Sequence, residues 1–584
     1  MAHLYKKVKK GNEYYYIRET QRVYGKPTTI NQVYLGTSDK VQQALGKGGF
    51  SPKEFGSIFA INELDQNLEL AELVNEVLPP KKRTKGPSLG ELVFYAAMNR
   101  AIAPTSKRRL AAWYETTDIQ RVRPLRLESL NSQNFWNHWD RISDADLEKI
   151  STAFFRKVHA QSPNGAQQLV IEAANLPSTP KPASVDPLPP LPAMEDGFPT
   201  DIPSSQVGLA LISEMFSGIP VYYQDIPGGL NRGGFYSNYL DDLLDRVEHL
   251  RIAVKDVTLL FNNVDEPAEI MDRADADPDL HIIACVTSQA APDLTEVSLK
   301  EFTPLPVQPL NPFQRPLKDD ERVLYYETTH DFWGKPRRVV MVFDPRAFQQ
   351  SYQELGKKVQ KLRKDLQAAL QRHLQEKDNG DANVVLQEHL VQACERFNLD
   401  PLLFHVNCRA ENGKRTLDLQ IDQRQMAAIL RHYGKTLYIT DHETWSAPEI
   451  FEAFANRCLL EGHDQPRTGS SFYNGNALDF RSPFKSALLP LYHWTDSKIR
   501  IHLFVCVVAL TYLTLLCQRL KAAGIVTSPK DAMDELRSLR TTIKMQDEEG
   551  KLKRVLENIT DKQAAILRAL GYQVEDGKMT PLQG

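Results

Sequence analysis

Cysteine is scarce in this chain of 584 residues. The six present (Cys285, Cys394, Cys408, Cys458, Cys506 and Cys517) show no CxxC spacing. That excludes a zinc ribbon and a disulfide framework and suits a reducing compartment, so a cytoplasmic location is expected. An excess of positive charge is also lacking. The net charge is −3, so any nucleic-acid surface must be a local one. No GxxxxGK[ST] loop is present, which argues against nucleotide hydrolysis, and there is no HExxH zinc motif. No apolar run approaches the ~20 residues that cross a bilayer. The longest, Leu503 to Leu516, is interrupted by Thr511 and Thr514 and reads as a buried helix. No membrane partner is expected. The opening MAHLYKKVKKGNEYYY has no apolar core, so no signal peptide is expected either.

What is there is globular: 42% hydrophobic and 25% charged residues, enough for about three or four domains of ~150 residues. Residues 1–36 alternate charged with aromatic or β-branched side chains around Gly25-Lys26-Pro27, which predicts a β-hairpin or meander in an N-terminal region 1–50. Residues 51–160 show apolar spacing of three and four, as in Leu89, Leu92, Val93, Ala96 and Ala97, and predict helices. This region is locally basic. Lys81, Lys82, Arg83, Lys85, Arg100, Lys107, Arg108 and Arg109 are the candidate DNA-binding side chains, with Trp113, Phe135, Trp136 and Trp139 interleaved.

Residues 161–299 predict a strand at Gln168–Ala173, a hairpin from Val207–Ile212 and Ile219–Gln224, a helix, and buried strands at Val257–Phe261 and Ile282–Val286. Three antiparallel strands, a helix and then parallel strands is the order of an RNase H-like α/β core. Residues 300–430 read as a large α+β insertion with a long polar helix near 345–377, 431–525 as the second part of the core, and 526–584 as a charged helical tail.

Near the end of that core, Phe454, Arg457 and Glu461 are spaced by three and four, along one side of a helix. The chain also carries Ser88-Leu89-Gly90-Glu91, Asn99 to Lys107, Trp113-Tyr114-Glu115-Thr116-Thr117, Gln206 to Leu211, Gly218-Ile219-Pro220-Val221, Ile226-Pro227-Gly228 and Pro490 to Ile499, followed by His502. In order and spacing these resemble the DDE transposases of the IS-four-like bacterial insertion sequences, in the subgroup with an N-terminal strand hairpin. Those enzymes carry a Tyr-Arg-Glu-Lys signature at +0, +3, +7 and +14 around the third acid of the site. Here +0 is Phe454 and +14 is Thr468, with Arg467 one residue short.

The resemblance implies double-stranded DNA at terminal inverted repeats as partner, a homodimer on that DNA, and nucleoid association. It implies cleavage and strand transfer by two Mg2+ or Mn2+ ions, held by acids on the first core strand, at the end of the fourth, and on the following helix. The first address holds Glu172 in place of Asp, which moves the carboxylate outward by about one methylene; misplacement near 1 Å is costly in such a site. The second holds Asn262 in place of Asp, isosteric but neutral. The third holds Glu461. Glu172 and Glu461 are the charged metal ligands in this scheme. Asp265 is a possible substitute for the second acid and Asp479 for the third.

Three readings follow. One is an active transposase. The second, favoured by the substitutions at 172 and 262, is a DNA-binding pseudo-transposase acting as regulator or scaffold. The third is an interaction module that uses the long helix near 345–377 as a dimer arm.

Overall fold

A computed structural model describes residues 2–9, 12–23, 26–36, 50–80, 86–160, 168–177, 206–214, 217–227, 232–250, 256–262, 268–306, 322–375, 381–411, 414–456, 496–525, 527–545, 552–575 and 578–582. The chain opens with an antiparallel meander of β1 (Ala2–Lys9), β2 (Asn12–Val23) and β3 (Lys26–Gly36), one strand more than a hairpin. A short strand, β4 (Phe50–Glu54), leads into the helical region.

Two helices of that region, Gly56–Leu68 and Leu70–Val77, are separated only by Glu69 in a left-handed conformation (φ 52°). The next, Leu89–Ile102, begins at a capping box. Ser88 Oγ accepts from the Glu91 amide at 3.2 Å, and the Ser88 amide donates to the Glu91 carboxylate at 2.7 Å. It is apolar nearly all round and buries 13 of its 14 residues, the pattern of a core helix. Gly90 makes its contact with the Leu70–Val77 helix possible: a Cβ there would lie 1.9 Å from the Ala71 carbonyl oxygen. Gly90→Ala is therefore expected to lower stability by about 1–3 kcal/mol or more through overpacking, measurable as a lower urea midpoint.

The centre of the molecule is a nine-stranded mixed sheet. Its strands are β5 (Gln168–Pro177), β6 (Gln206–Glu214), β7 (Pro220–Pro227), β8 (Asp256–Asn262), β9 (Leu280–Thr287), β10 (Thr303–Pro304), β11 (Leu324–Phe332), β12 (Lys335–Phe343) and, later in the chain, β15 (Lys435–Thr440). Their order is β10-β11-β12-β15-β9-β8-β5-β6-β7. β5, β6 and β7 run antiparallel, with Gly218 (φ 67°) in the β6–β7 turn, while β8 and β9 are parallel to β5. The helix Arg232–His249 makes the crossover from β7 to β8. The pleat sorts the strands into two faces. Leu169, Ile171, Val257, Leu259, Ile282 and Ala284 join the main core with the N-terminal helices and the long helix Asp496–Ala522. Val170, Leu260, Ile283, Cys285 and Tyr438 face the helix Ala447–Asn456.

The region drawn in sequence as one insertion, 300–430, divides in the structure. β11 and β12 extend the central sheet, and the Arg337 fork grips Asp275 at 2.6 and 2.9 Å. Only the segment after β12 forms a separate body. Its helix Pro345–Gln375 lays Leu362, Leu366 and Leu370 against the helix Ala382–Phe397 and the hairpin of β13 (Phe404–Glu411) and β14 (Lys414–Ile421). The apolar stripe of the long helix is thus covered within the same chain.

The tail beyond 526 carries strands as well as helices. β16 (Arg540–Met545) pairs both with β17 (Leu552–Leu556) and with β4, so the two ends of the chain share one small sheet. Thr541, Thr542 and Ile543, β-branched in a row, favour strand there. The helix Asp496–Ala522, which spans the interrupted apolar run, contains the one stretch among the described residues long and apolar enough to cross a membrane; most of it is buried inside the fold.

Candidate functional site

β5 and β8 are neighbours and parallel, with Gln168 opposite Asp256 and Ile171 opposite Leu259. Position 172 follows Ile171 directly and pairs with Leu211 on its other side. Position 262 closes β8, three residues past Leu259. At ~3.3 Å per residue and ~4.8 Å between strands, the two backbone positions are roughly 8 Å apart. Counting by twos, 172 follows Val170 and 262 follows Leu260, so both belong to the pleat series of the face covered by the Ala447–Asn456 helix.

That helix rises along the same face toward position 262. Asn262 is paired with Cys285, and Cys285 with Tyr438, which makes one row across β8, β9 and β15. Phe451 packs edge-on against Tyr438, ring centroids 5.9 Å apart. The helix start is fixed by several contacts. Ser446 bonds the Glu449 carboxylate at 2.7 Å through both its amide and its hydroxyl. Trp445 stacks on His442 at 3.6 Å, and Arg338 donates to the carbonyls of His442 and Trp445 at 3.0 and 2.5 Å. Phe454 lies within the helix. Arg457, Glu461 and Asp479 lie outside the described residues, as do Asp265 and Lys81, Lys82, Arg83 and Lys85. Among the described residues no group of three or more His, Cys, Asp or Glu side chains is arranged to hold a metal ion.

The opposite, N-terminal end of β8 and β9 holds a polar cluster that sequence reasoning missed. His281 Nδ1 meets Asp441 Oδ2 at 2.8 Å, and the other oxygen of Asp441 accepts from the Ile282 amide at 2.7 Å. His442 Nε2 lies 2.9 Å from Thr258 Oγ1, and the His281 and His442 rings lie 4.0 Å apart between centroids, tilted by 30°. The hydrogen bond to Asp441 pushes the His281 pKa up, whereas burial pushes His442 down to about 3. The cluster closes the loop from β15 to the helix, and no local pattern announces it: Asp441 and His281 are 160 residues apart.

This gives an acid-stability prediction. Unfolded, His442 titrates near 6.5; folded, near 3. Between those values the unfolded chain binds more protons, so stability is complete above about pH 6.5 and falls with pH. His159, pushed down to about 4 by burial, acts in the same direction. His281 acts oppositely, since its raised pKa adds stability at low pH that is lost as pH rises. His442→Gln is expected to reduce the stability lost between pH 7 and 5 by about 2 kcal/mol, read from urea midpoints at the two pH values.

The basic region is more structural than its composition suggested. Arg100 is 8% exposed on the core helix. Lys107 is half-buried, with its ammonium 3.9 Å from the centre of the Trp139 ring, and burial lowers its pKa to about 7. Arg100 therefore sits within the core helix, and the Lys107 ammonium is engaged with the Trp139 ring. Arg108 and Arg109 are exposed. His502 is buried, 3.6 Å from Cys506 Sγ, in keeping with a packing role.

No family model matches the chain, and no curated protein matches it. Among solved structures it is similar to the piggyBac transposase in a synaptic complex with hairpin DNA: 11% identity over 83% of this chain and 81% of that one, at a TM-score of 0.30. It is also similar to the Mos1 transposase in a paired-end complex with the left transposon end: 13% identity over 35% of this chain and 61% of that one, at a TM-score of 0.14. Neither score reaches the level of a shared fold.

Proposed function

We propose that this chain is a transposase-like protein with an RNase H-like core. It binds the end DNA of an insertion sequence as a homodimer associated with the nucleoid, and its ancestral metal-dependent cleavage and strand transfer are impaired. The carrying observation is the address of two residues. The motifs that resemble the IS-four-like transposases assign the first two acids to positions 172 and 262. Those positions belong to neighbouring parallel strands and one pleat series, on the face covered by the helix that leads toward Glu461. The strand order β7-β6-β5-β8-β9 agrees with the core expected from the sequence.

Two hard dications at these addresses call for anionic oxygen ligands. The residues present do not fit. Position 262 supplies an amide, with one oxygen and no charge, and position 172 a carboxylate one methylene longer than the family's. Residues outside the coordination shell do not replace a missing anionic ligand. No cleavage step is assigned to this donor set.

DNA binding does not depend on that deficit. Arg108 and Arg109 supply exposed charge, and the Lys81–Lys85 run adds to it in sequence. The full chain is expected to bind duplex carrying the DNA that flanks its gene, with affinity falling steeply from 50 to 200 mM salt as counterions are released. An Arg108→Ala/Arg109→Ala chain is expected to show a shallower salt slope by about two units. Absence of any salt-dependent duplex binding, measured by fluorescence anisotropy, overturns the proposal.

A further inference from the structure

The N-terminal sheet differs from the rest of the chain in composition. Residues 1–36 hold seven Lys and Arg, two Glu and six Tyr, in a chain whose net charge is −3. One face of this sheet is buried. Ile17 and Val23 are 1% and 0% exposed there, and Glu19 forms an ion pair with Arg554 of β17 at 2.8 Å. The other face carries a line of tyrosines across all three strands. Tyr5 and Tyr16 have ring centroids 6.3 Å apart, Tyr16 and Tyr34 5.1 Å, and Tyr34 and Tyr14 6.2 Å. The Arg18 guanidinium lies 4.0 Å from the centre of the Tyr5 ring and is held there by Gln32 at 2.9 Å. Tyr34 is 56% exposed, and Lys7 beside this line is exposed as well.

We propose that this tyrosine face is a platform for single-stranded nucleic acid. Rings set side by side on the sheet, tilted by 41° to 49° to one another, present π-faces on which unpaired bases stack, and Arg18 and Lys7 answer the phosphates between them. Paired bases are stacked on one another within a duplex, so a duplex meets only the charges. The inference does not rest on the transposase reading: a chain that never binds insertion-sequence ends still has this face.

The test uses the full-length chain and fluorescein-labelled oligothymidylate or oligouridylate of about 16 nucleotides, with a duplex of mixed sequence as the third probe. Tyr16→Ala/Tyr34→Ala is expected to weaken binding of the single strands by tenfold or more and to leave duplex binding unchanged. Tyr16→Phe/Tyr34→Phe keeps the rings and is expected to bind close to wild type, which separates stacking from misfolding. Tight binding of either oligonucleotide, lost only in the alanine chain, supports the platform and shows whether DNA, RNA or both are taken. Wild type that binds neither oligonucleotide, or an alanine chain that binds them as wild type does, overturns it. So does equal loss on the duplex, which points to charge alone.

Discussion

Asn262→Asp is expected to raise Mn2+-dependent nicking of a supercoiled plasmid carrying the gene's flanking DNA by on the order of 100-fold over the native chain. The expected gain is electrostatic. Position 262 ends β8 beside Cys285, on the strand next to Glu172. Asp has the shape of Asn and adds a negative charge at the address where, in the proposed reading, an anionic oxygen would hold a metal. Adding Glu172→Asp shortens the second side chain and is expected to raise the rate further, since displacements near 1 Å change such rates about 100-fold. If the native chain nicks as fast as Asn262→Asp, the amide is no impediment and the claim of impaired cleavage is wrong.

Asp65→Ala is expected to cost about 3–5 kcal/mol of stability, seen as a large drop in urea midpoint. The Asp65 side chain is fully buried among three elements. Its Oδ1 accepts from the Tyr512 hydroxyl at 2.7 Å and the Leu70 amide at 3.1 Å, and its Oδ2 lies 3.4 Å from Arg123. Burial pushes its pKa up, while Tyr512 and Arg123 hold it down. Alanine leaves the Tyr512 hydroxyl and the Arg123 guanidinium without this partner in the core, and an unpaired buried group costs more than the pair contributes. Asp65→Asn keeps the shape and an oxygen, and is expected to cost less. Equal losses for the two substitutions exclude this account.

The strands β5 to β9 were legible because their apolar runs are short, β-branched and bounded by turn residues, as Val257–Phe261 shows. The three and four spacing of Leu89, Leu92, Val93, Ala96 and Ala97 likewise announced the helix Leu89–Ile102. The membership of β11 and β12 in the central sheet was not legible. It depends on β12 pairing with β15, about a hundred residues later, and no local pattern encodes a partner at that distance. The Asp441–His281 and His442–Thr258 contacts were hidden for the same reason. Composition counts the charges of the basic region without locating them: the Lys107 ammonium lies over Trp139, a contact that no local pattern announces. At the candidate site, the sequence named positions 172 and 262, and their placement on adjacent strands follows from the register.

The central claim concerns convergence, and the most direct measurement is the set of distances between the side-chain oxygens of Glu172, Asn262 and Glu461 in an experimental structure of the DNA-bound chain. The account predicts all three within about 8 Å at the C-terminal end of β8, the span that surrounds two ions about 4 Å apart. Glu461 on the far face of the sheet, or well beyond that reach, contradicts it.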